Sequence, residues 1–425
     1  MEVERILSEL IKIPSVNPPG GETEVAEFLK KLFDPVGIKN EIIESAPGRG
    51  SFIATLGTGK KSLLFLSHTD VVPVGEGWDF DPFSGEIKNG LVLGRGAQDC
   101  KDLVAAEAWA MLELSKVKLD GKLIFAATAD EEAMGDYGVG FIVKNHPDKL
   151  QADFAINEGA GEPIRAGKRL IYFIQAGEKG PAWTRLRFSG VSCHGAIPTL
   201  GDNAVTKASK AIARLAEYKP EVKIIPEMKA LINNLGQQHG RKEITEKNID
   251  TFLSTYPDRT FAERLRALTR MTISPNMILG GNKTNIVPDS CKVEVDIRVL
   301  PGQDKEYVIN QLRSIIGEDV QIELPVFDKA SFSSTDTPYL RLIQQTMKDV
   351  LGDVDCLPTI SAGATDSRFL RAQGIPSYGP AVDAPDFDPA MLATYHAKNE
   401  RVDIKSLKMK ADFLTRLASK YLGAH

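Results

Sequence analysis

Short apolar runs and helical periodicities alternate along the first half of the chain. Apolar, β-branched runs predict strands, and stretches in which apolar residues recur every three or four positions predict helices. Strands that alternate with helices favour a mostly parallel sheet covered on both faces. The predicted strands are residues 41–44, 52–56, 63–66, 123–128 and 154–156, and the predicted helices are residues 23–33 and 102–114.

The pattern changes near residues 178–181 and changes back near residue 337. Between these points, alternating apolar and polar residues predict half-exposed strands, which are typical of an α+β module. We therefore predict a catalytic domain over residues 1–179 and 329–425, interrupted by an inserted, ferredoxin-like α+β lid domain over residues 180–328. The predicted inserted strands are residues 183–188, 272–279, 293–299 and 320–324, and the predicted helices are residues 204–216, about 243–270 and 305–316. Past the insertion, Pro338 opens a helix predicted over residues 339–351.

Composition narrows the class of protein without identifying it. With 42% hydrophobic and 26% charged residues, the 425-residue chain is typical of a soluble globular protein. A net charge of −5 and the lack of a basic run disfavour nucleic acid as a partner. No segment has the apolar length of a signal peptide or a membrane span. Four widely spaced cysteines without a CxxC pair fit reduced thiols, so we expect a cytoplasmic protein.

Five separated clusters contain Asp, Glu and His, and most of the first four come where a predicted strand ends. In open α/β sheets, ligands bind at the edge formed by the carboxyl ends of the strands. Two imidazoles and three of the carboxylates in these clusters would serve as ligands, with further carboxylates left over, which suits two cations that share one ligand. They are SHTDVVP (67–73), GRGAQD (94–99), DEE (130–132), NEG (157–159) and YHAKNE (395–400).

Single clusters also have simpler interpretations. His68 and Asp70 lie two apart, so both side chains share one strand face and the carboxylate can orient the imidazole. The same residues could form an ordinary strand-to-turn junction. Asp99 follows a glycine-rich turn and could bridge two cations or cap the next helix. Adjacent Glu131 and Glu132 point opposite ways if they extend the strand, which favours one ligand and one proton carrier over two equal ligands. The alternative for these residues is a solvated acidic turn.

The order and spacing of these motifs resemble the dizinc peptidase family of acetylornithine deacetylase, succinyl-diaminopimelate desuccinylase, aminoacylase, glutamate carboxypeptidase and carboxypeptidase S. The match extends from PSVNPP (14–19) to HAKNE (396–400). The resemblance implies two Zn²⁺ ions, with cobalt or manganese as alternatives. One ion would be held by His68, Asp99 and Glu158, and the other by Asp99, Glu132 and His396, with Asp99 bridging.

The resemblance also implies roles outside the ligand set. Glu131 would be the general acid/base, Asp70 would orient His68, and His194 in the inserted domain would assist the oxyanion. The residues implied to bind substrate are Asn285, Arg298, Gly363 and Thr365. Cys100, Asp102 and Gly195 depart from the residues more usual in relatives and leave substrate preference open.

The implied function is a metal-dependent hydrolase that releases an amino acid from a short peptide or an N-acyl amino acid. It would act as a homodimer joined through the lid domain. One alternative is a biosynthetic deacylase such as acetylornithine deacetylase or succinyl-diaminopimelate desuccinylase. Another is a relative that binds small molecules without catalysis, but such a protein should have lost a ligand or the base, and all are present here.

Overall fold

The computed structural model describes residues 1–159, 161–167, 169–241 and 243–425. The chain divides into two compact units. Unit 1 comprises Met1–Ala176, Ser333–Thr359 and Thr365–His425, and unit 2 comprises Gly177–Phe332 and Ile360–Ala364. The domain limits expected from the sequence, with breaks after residues 179 and 328, stay a prediction.

Helices and strands are labelled in chain order over the described residues. The helices are α1 Val3–Ile11, α2 Glu22–Phe33, α3 Lys101–Leu114, α4 Val139–Asn145, α5 Ala204–Glu217, α6 Pro226–Gln238, α7 Ile249–Ser254, α8 Arg259–Ala267, α9 Lys305–Ile316, α10 Pro338–Leu351, α11 Ser367–Ala372 and α12 Ile404–Leu422. The strands are β1 Lys39–Glu44, β2 Gly50–Leu56, β3 Ser62–His68, β4 Ile87–Lys88, β5 Leu91–Leu93, β6 Lys122–Thr128, β7 Phe154–Ile156, β8 Ile164–Ala166, β9 Arg169–Glu178, β10 Gly180–Pro181, β11 Thr184–Ser189, β12 Cys193–His194, β13 Thr272–Gly280, β14 Ile286–Val287, β15 Ser290–Val299, β16 Gln321–Glu323, β17 Ser331–Phe332, β18 Asp355–Ser361, β19 Ser377–Pro380 and β20 Arg401–Asp403.

The main sheet of unit 1 has the order β1-β2-β6-β3-β7-β19-β9. Its central strands β6, β3, β7 and β19 are parallel, and the outer strands pair antiparallel. The predicted α/β fold with a mixed, mostly parallel sheet is confirmed. Because β3 and β6 run in register, their carboxyl ends at His68 and Thr128 lie side by side.

The sheet of unit 1 is covered on both faces, which explains why every residue of β3 is buried. Leu63 and Phe65 pack into one apolar cluster with residues of α1, α3 and α12. Leu64 and Leu66 pack into a second cluster with residues of α4 and α11. Alternate side chains of a strand point to opposite faces, so a sheet buried on both sides requires a continuous apolar run. The polar residues that follow the run are thereby placed at the carboxyl edge.

Unit 2 is built on the chain order β11-α5-β13-β15-α9-β16. Its strands pair antiparallel in the order β13-β15-β11-β16. This is the split βαβ arrangement of ferredoxin-like folds, as predicted. The alternating strand β15 turns Val293, Val295 and Ile297 into a core shared with α5 and α9.

One predicted helix of unit 2 is wrong. The charged stretch at about residues 243–270 forms two short helices, α7 and α8, with Pro257 between them. Proline disfavours helical geometry in the residue before it, so the helix is interrupted at this point. The Asp258 side chain then caps α8 by accepting a hydrogen bond from the N–H of Phe261. Helix α6 was missed, although its Pro226 occupies the first turn that proline favours.

None of the helices in the described parts of the chain combines the length and the apolar character needed to cross a lipid bilayer.

Candidate metal centre

His68 ends β3 as a buried side chain with polar partners on both ring nitrogens. Nε2 lies 3.1 Å from Asp99 Oδ1 and 3.7 Å from Glu158 Oε2. Nδ1 lies 3.0 Å from the backbone oxygen of Asp70 and 3.5 Å from its carboxylate. Both groups of Asp70 thus face Nδ1, and its carbonyl is nearer than its carboxylate. Fixing Nδ1 in this way turns Nε2 toward Asp99 and Glu158.

Asp99 lies between two imidazoles that are more than 300 positions apart in the sequence. Its Oδ1 faces His68 Nε2 at 3.1 Å, and its Oδ2 faces His396 Nε2 at 2.9 Å. The predicted alternative, a helix cap, does not describe this residue, because Cys100 occupies the cap position of α3. A carboxylate that presents one oxygen to each of two imidazoles has the arrangement needed to bridge two cations.

Glu132 completes the side of the centre that contains His396. Its Oε1 lies 3.3 Å from His396 Nε2, yet this buried atom has no hydrogen bond of good geometry within the described chain. Ligand atoms of His68, Asp99 and Glu132 lie within 4.8 Å of one another. A cluster of imidazole and carboxylate ligand atoms, one of them an oxygen without a hydrogen bond, fits a zinc-like cation. A second convergent set contains His68, Glu158 and Cys100.

Glu131 and Glu132 lie in a 3-10 turn after β6 and do not extend the strand. Strand alternation therefore does not apply to them, contrary to the sequence-based argument. Both of their backbone N–H groups donate to the Asp70 carboxylate, at 3.1 Å each. Asp70 thus fixes the turn that carries both glutamates as well as the ring of His68.

The electrostatics of the site favour charged imidazoles beside closely spaced carboxylates. Burial and the charge of Glu158 raise the pKa of Glu131 well above its ordinary value. Burial also raises the pKa of Glu158, although His68 opposes it. Burial alone would raise the pKa of Asp99, but hydrogen bonds from His396 and His68 lower it. A cation at this position would stabilise the charged carboxylates and relieve their repulsion.

A buried network that the sequence patterns do not predict lies behind the glutamate turn. The Asn17 amide donates to Asp70 Oδ2 at 2.9 Å and to Asp130 Oδ1 at 3.1 Å. Arg49 donates to Asp130 at 2.6 Å and pairs with both oxygens of Glu22. Asp130 adopts a φ of 74°, a left-handed conformation that is uncommon outside glycine. The one available sequence signal was Asn17 within PSVNPP.

In unit 2, two predicted functional residues lie on neighbouring segments. His194 pairs with Ile286 across the short ribbon of β12 and β14, and Gly195 donates to the backbone oxygen of Asn285 at 2.8 Å. Both His194 and Asn285 are exposed. A Cβ at position 195 would lie 3.0 Å from the Asn285 backbone, which is tighter than an ordinary van der Waals contact, so the close approach of the two segments favours glycine here.

The other predicted substrate-binding residues are divided between the units. Arg298 on β15 is half-buried, donates to both oxygens of Asp296 and lies over the Trp183 ring. Gly363 is exposed in the short segment assigned to unit 2. Thr365 is buried in unit 1, and its hydroxyl accepts a hydrogen bond from the N–H of Ser367.

Comparison with known proteins identifies the family. The sequence model of peptidase family M20/M25/M40 matches residues 64–420. The chain belongs to this family. It is similar to a succinyl-diaminopimelate desuccinylase from Parvibaculum lavamentivorans, with 27% identity covering 98% of this chain and 95% of the relative. Aminoacylase-1 from Sus scrofa is 26% identical over 97% of this chain and 95% of the relative. The structure of an M20 metallo-carboxypeptidase from Sulfolobus solfataricus has a TM-score of 0.73 at 23% identity. The match covers 98% of this chain and 99% of that chain.

Family membership confirms the predicted class of protein. This M20 chain is a metal-dependent hydrolase of amide bonds.

Proposed function

We propose that this chain uses a dinuclear zinc centre to release an amino acid from a short peptide or an N-acyl amino acid. His68, Asp99 and Glu158 would hold one ion, and Asp99, Glu132 and His396 the other. The observation that carries the proposal is the placement of the two Asp99 oxygens, each facing a different imidazole. Cobalt or manganese could replace zinc, since nitrogen and carboxylate ligands suit all three metals.

When bound, such ions lower the pKa of an attacking water to about 7 and polarise the substrate carbonyl. Glu131 would accept the proton of that water and return it to the leaving nitrogen. Its raised pKa suits a group that must bind and release a proton. Asp70 would keep the glutamate turn and His68 in place through the hydrogen bonds described above.

His194 and the proposed substrate-binding residues would act on the substrate. His194 would donate a hydrogen bond to the developing oxyanion, from within its own chain or from a partner subunit. Asn285 and Arg298 would bind polar groups of the substrate, because a guanidinium can donate two parallel hydrogen bonds to a carboxylate. Gly363 and Thr365 would belong to the segment that binds the carboxylate of the released amino acid.

Removal of metal tests the dinuclear centre. Chelator-treated protein should lose hydrolytic activity and regain it with zinc or cobalt. Calorimetric titration should then give two bound ions per chain. Undiminished turnover after exhaustive chelation, with no metal left by elemental analysis, would refute the proposal.

A substrate screen separates the proposed activity from the biosynthetic alternative. The loaded enzyme would be tested on unblocked dipeptides, N-acyl amino acids, N-acetylornithine and N-succinyl-diaminopimelate. Hydrolysis of several dipeptides or acyl amino acids supports the broad activity. Hydrolysis of a single acylated biosynthetic intermediate would establish the dedicated deacylase instead. A loaded protein that binds these compounds without cleaving them would be the non-catalytic relative.

The proposed homodimer would form through unit 2. Strand β13 lies at the edge of its sheet and exposes Met277, Ile278 and Leu279. An exposed apolar edge strand can pair with a second copy of itself in a two-fold symmetric contact. Light scattering should give the mass of a dimer, and Ile278→Lys should yield monomers. A wild-type monomer at micromolar concentration would contradict this part of the proposal.

We also propose a cytoplasmic location, which the four free cysteines support.

A further inference from the structure

Two distant segments of unit 1 carry the bridging aspartate and the second imidazole. Asp99 ends the loop of residues 94–99, and His396 lies in the segment of residues 391–400. Strand β5 just before the first segment pairs antiparallel with β20 just after the second. This pairing aligns the two segments at one end. Further contacts lie closer to Asp99 and His396.

Glu400 connects its segment to the loop of Asp99. This carboxylate is fully buried. Its Oε2 accepts hydrogen bonds from Arg95 Nη1 at 2.6 Å and from the N–H of Gly96 at 3.1 Å. Its Oε1 accepts from the N–H groups of Gln98 at 2.8 Å and Asp99 at 3.2 Å. Four donors, one of them a guanidinium and one the backbone of the bridging ligand, converge on a single side chain.

Gln98 makes the reciprocal connection from the loop back to the segment of His396. Its buried amide donates to the backbone oxygen of Met391 at 2.9 Å and to Thr394 Oγ1 at 3.1 Å. Thr394 lies two residues before His396, whose φ of 53° is a left-handed conformation uncommon outside glycine. A residue in such a conformation persists only when its surroundings fix it.

We propose that Glu400 and Gln98 are positioning residues that together form a clasp, which sets the distance between Asp99 and His396. The sequence places both residues inside metal-binding clusters, but neither contributes a ligand in the proposed assignment. Glu400 binds the loop that carries Asp99, and Gln98 binds the segment that carries His396. Loss of either residue should therefore loosen both ligands. The inference rests on the proposed metal centre and adds residues that hold its ligands without touching the ions.

The test measures zinc affinity in the full chain, by competition with a chelator of known affinity. Glu400→Gln removes the negative charge, and Gln98→Met removes both amide donors with little change of volume. Each variant should weaken zinc binding roughly 10–100-fold, as is usual when a residue that orients ligands is lost. In the double variant the loss should be smaller than the product of the two, because both residues act through one contact between segments.

Asp153→Asn is the matched control. Its carboxylate accepts hydrogen bonds from the N–H of Ser62 and from Tyr421 Oη, each at 2.7 Å, at the opposite end of β3. It should leave zinc affinity unchanged even if it lowers the unfolding temperature. Excess zinc should restore most of kcat in the clasp variants with KM near that of wild type, which general misfolding would not allow.

The outcomes separate this inference from the proposed function. If wild type binds two ions and both clasp variants bind them with wild-type affinity, the clasp is refuted while the metal centre stands. If wild type binds no ion, the metal centre fails and the clasp fails with it. Should Glu400→Gln not fold, Gln98→Met decides, because it removes only neutral hydrogen bonds.

Discussion

His68 of unit 1 and His194 of unit 2 are held in different ways. In unit 1, His68 has 1% of its side chain exposed, and both ring nitrogens have acidic or carbonyl partners. In unit 2, His194 is exposed, and its Nδ1 accepts a hydrogen bond from the N–H of Ala196 at 3.1 Å. One imidazole is fixed by a buried network, whereas the other is placed mainly by the backbone ribbon of β12 and β14.

This difference suits different tasks. Ligands that share cations must be held within fractions of an ångström, and buried carboxylates such as Asp70 and Glu400, which accept hydrogen bonds from backbone N–H groups, would provide that. A residue that acts only on bound substrate must be reachable by it. We therefore expect changes in unit 1 to alter metal binding or the proton transfer that depends on it. Changes in unit 2 should alter turnover and leave metal binding intact.

The largest effect should come from Glu131→Gln. Loss of a general acid/base costs roughly 10²–10⁴-fold in rate, so kcat should fall by at least that factor. Both ions should stay bound, because Glu131 is not one of the proposed ligands. Steady-state kinetics together with elemental analysis checks both statements. Turnover near that of wild type would remove Glu131 from the mechanism.

His194→Gln should give the next largest effect and defines the contrast between the units. Loss of one donor to an oxyanion lowers kcat by roughly 10²-fold or more. Zinc affinity should equal that of wild type, since no proposed ligand lies in unit 2. The control is His146→Gln, a histidine of unit 1 without a proposed role. A variant with weakened zinc binding, or with unchanged kcat, would contradict the division of tasks.

Asp70→Ala should have a smaller effect that combines two losses. The variant removes an acceptor for the N–H groups of Glu131 and Glu132 and one of the groups that orient His68. Zinc affinity or rate should fall roughly 10–100-fold, as is usual for residues that support ligands. Chelator competition and kinetics at saturating zinc separate the two losses. Zinc affinity and rate equal to those of wild type would mean that Asp70 supports neither the ligands nor the reaction.

The sequence was sufficient wherever local periodicity determined position. The apolar run of β3 must be buried on both faces, so the polar residues from His68 onward had to emerge at the sheet edge. The same reasoning located the glutamates after β6 and Glu158 after β7. It misjudged the geometry of Glu131 and Glu132, because a strand was assumed to continue where a tight turn begins.

What the sequence could not supply was long-range pairing. The hydrogen bonds of Asn17 to Asp130 and of Gln98 to Thr394 join residues more than 100 positions apart. No local pattern marks an amide as the partner of a buried carboxylate rather than a solvated surface group. The helices α6 to α8 are a different case, because their local signals are prolines, Pro226 in the first turn of α6 and Pro257 between α7 and α8, which helical periodicity alone does not take into account.

The smallest expected effect concerns the stability of the metal-free protein at high pH. The neighbouring carboxylates of Asp99 and then Glu132, 2.9 and 3.3 Å from Nε2, raise the pKa of His396 from 6.5 to about 10. A group whose pKa is raised by folding stabilises the native state fully below its unfolded pKa, and that contribution is lost as the pH rises through the folded value. The free energy of unfolding of chelator-treated wild type should therefore exceed that of His396→Asn near pH 6. The difference should shrink as the pH rises from 6.5 to 10.

With zinc bound, the trend should reverse, because the cation displaces the His396 proton and binds more tightly at higher pH. Urea titrations at several pH values, with and without zinc, provide the measurement. A difference independent of pH in the metal-free state would mean that His396 carries no extra proton there and that the contrast with His194 is smaller than the structure indicates.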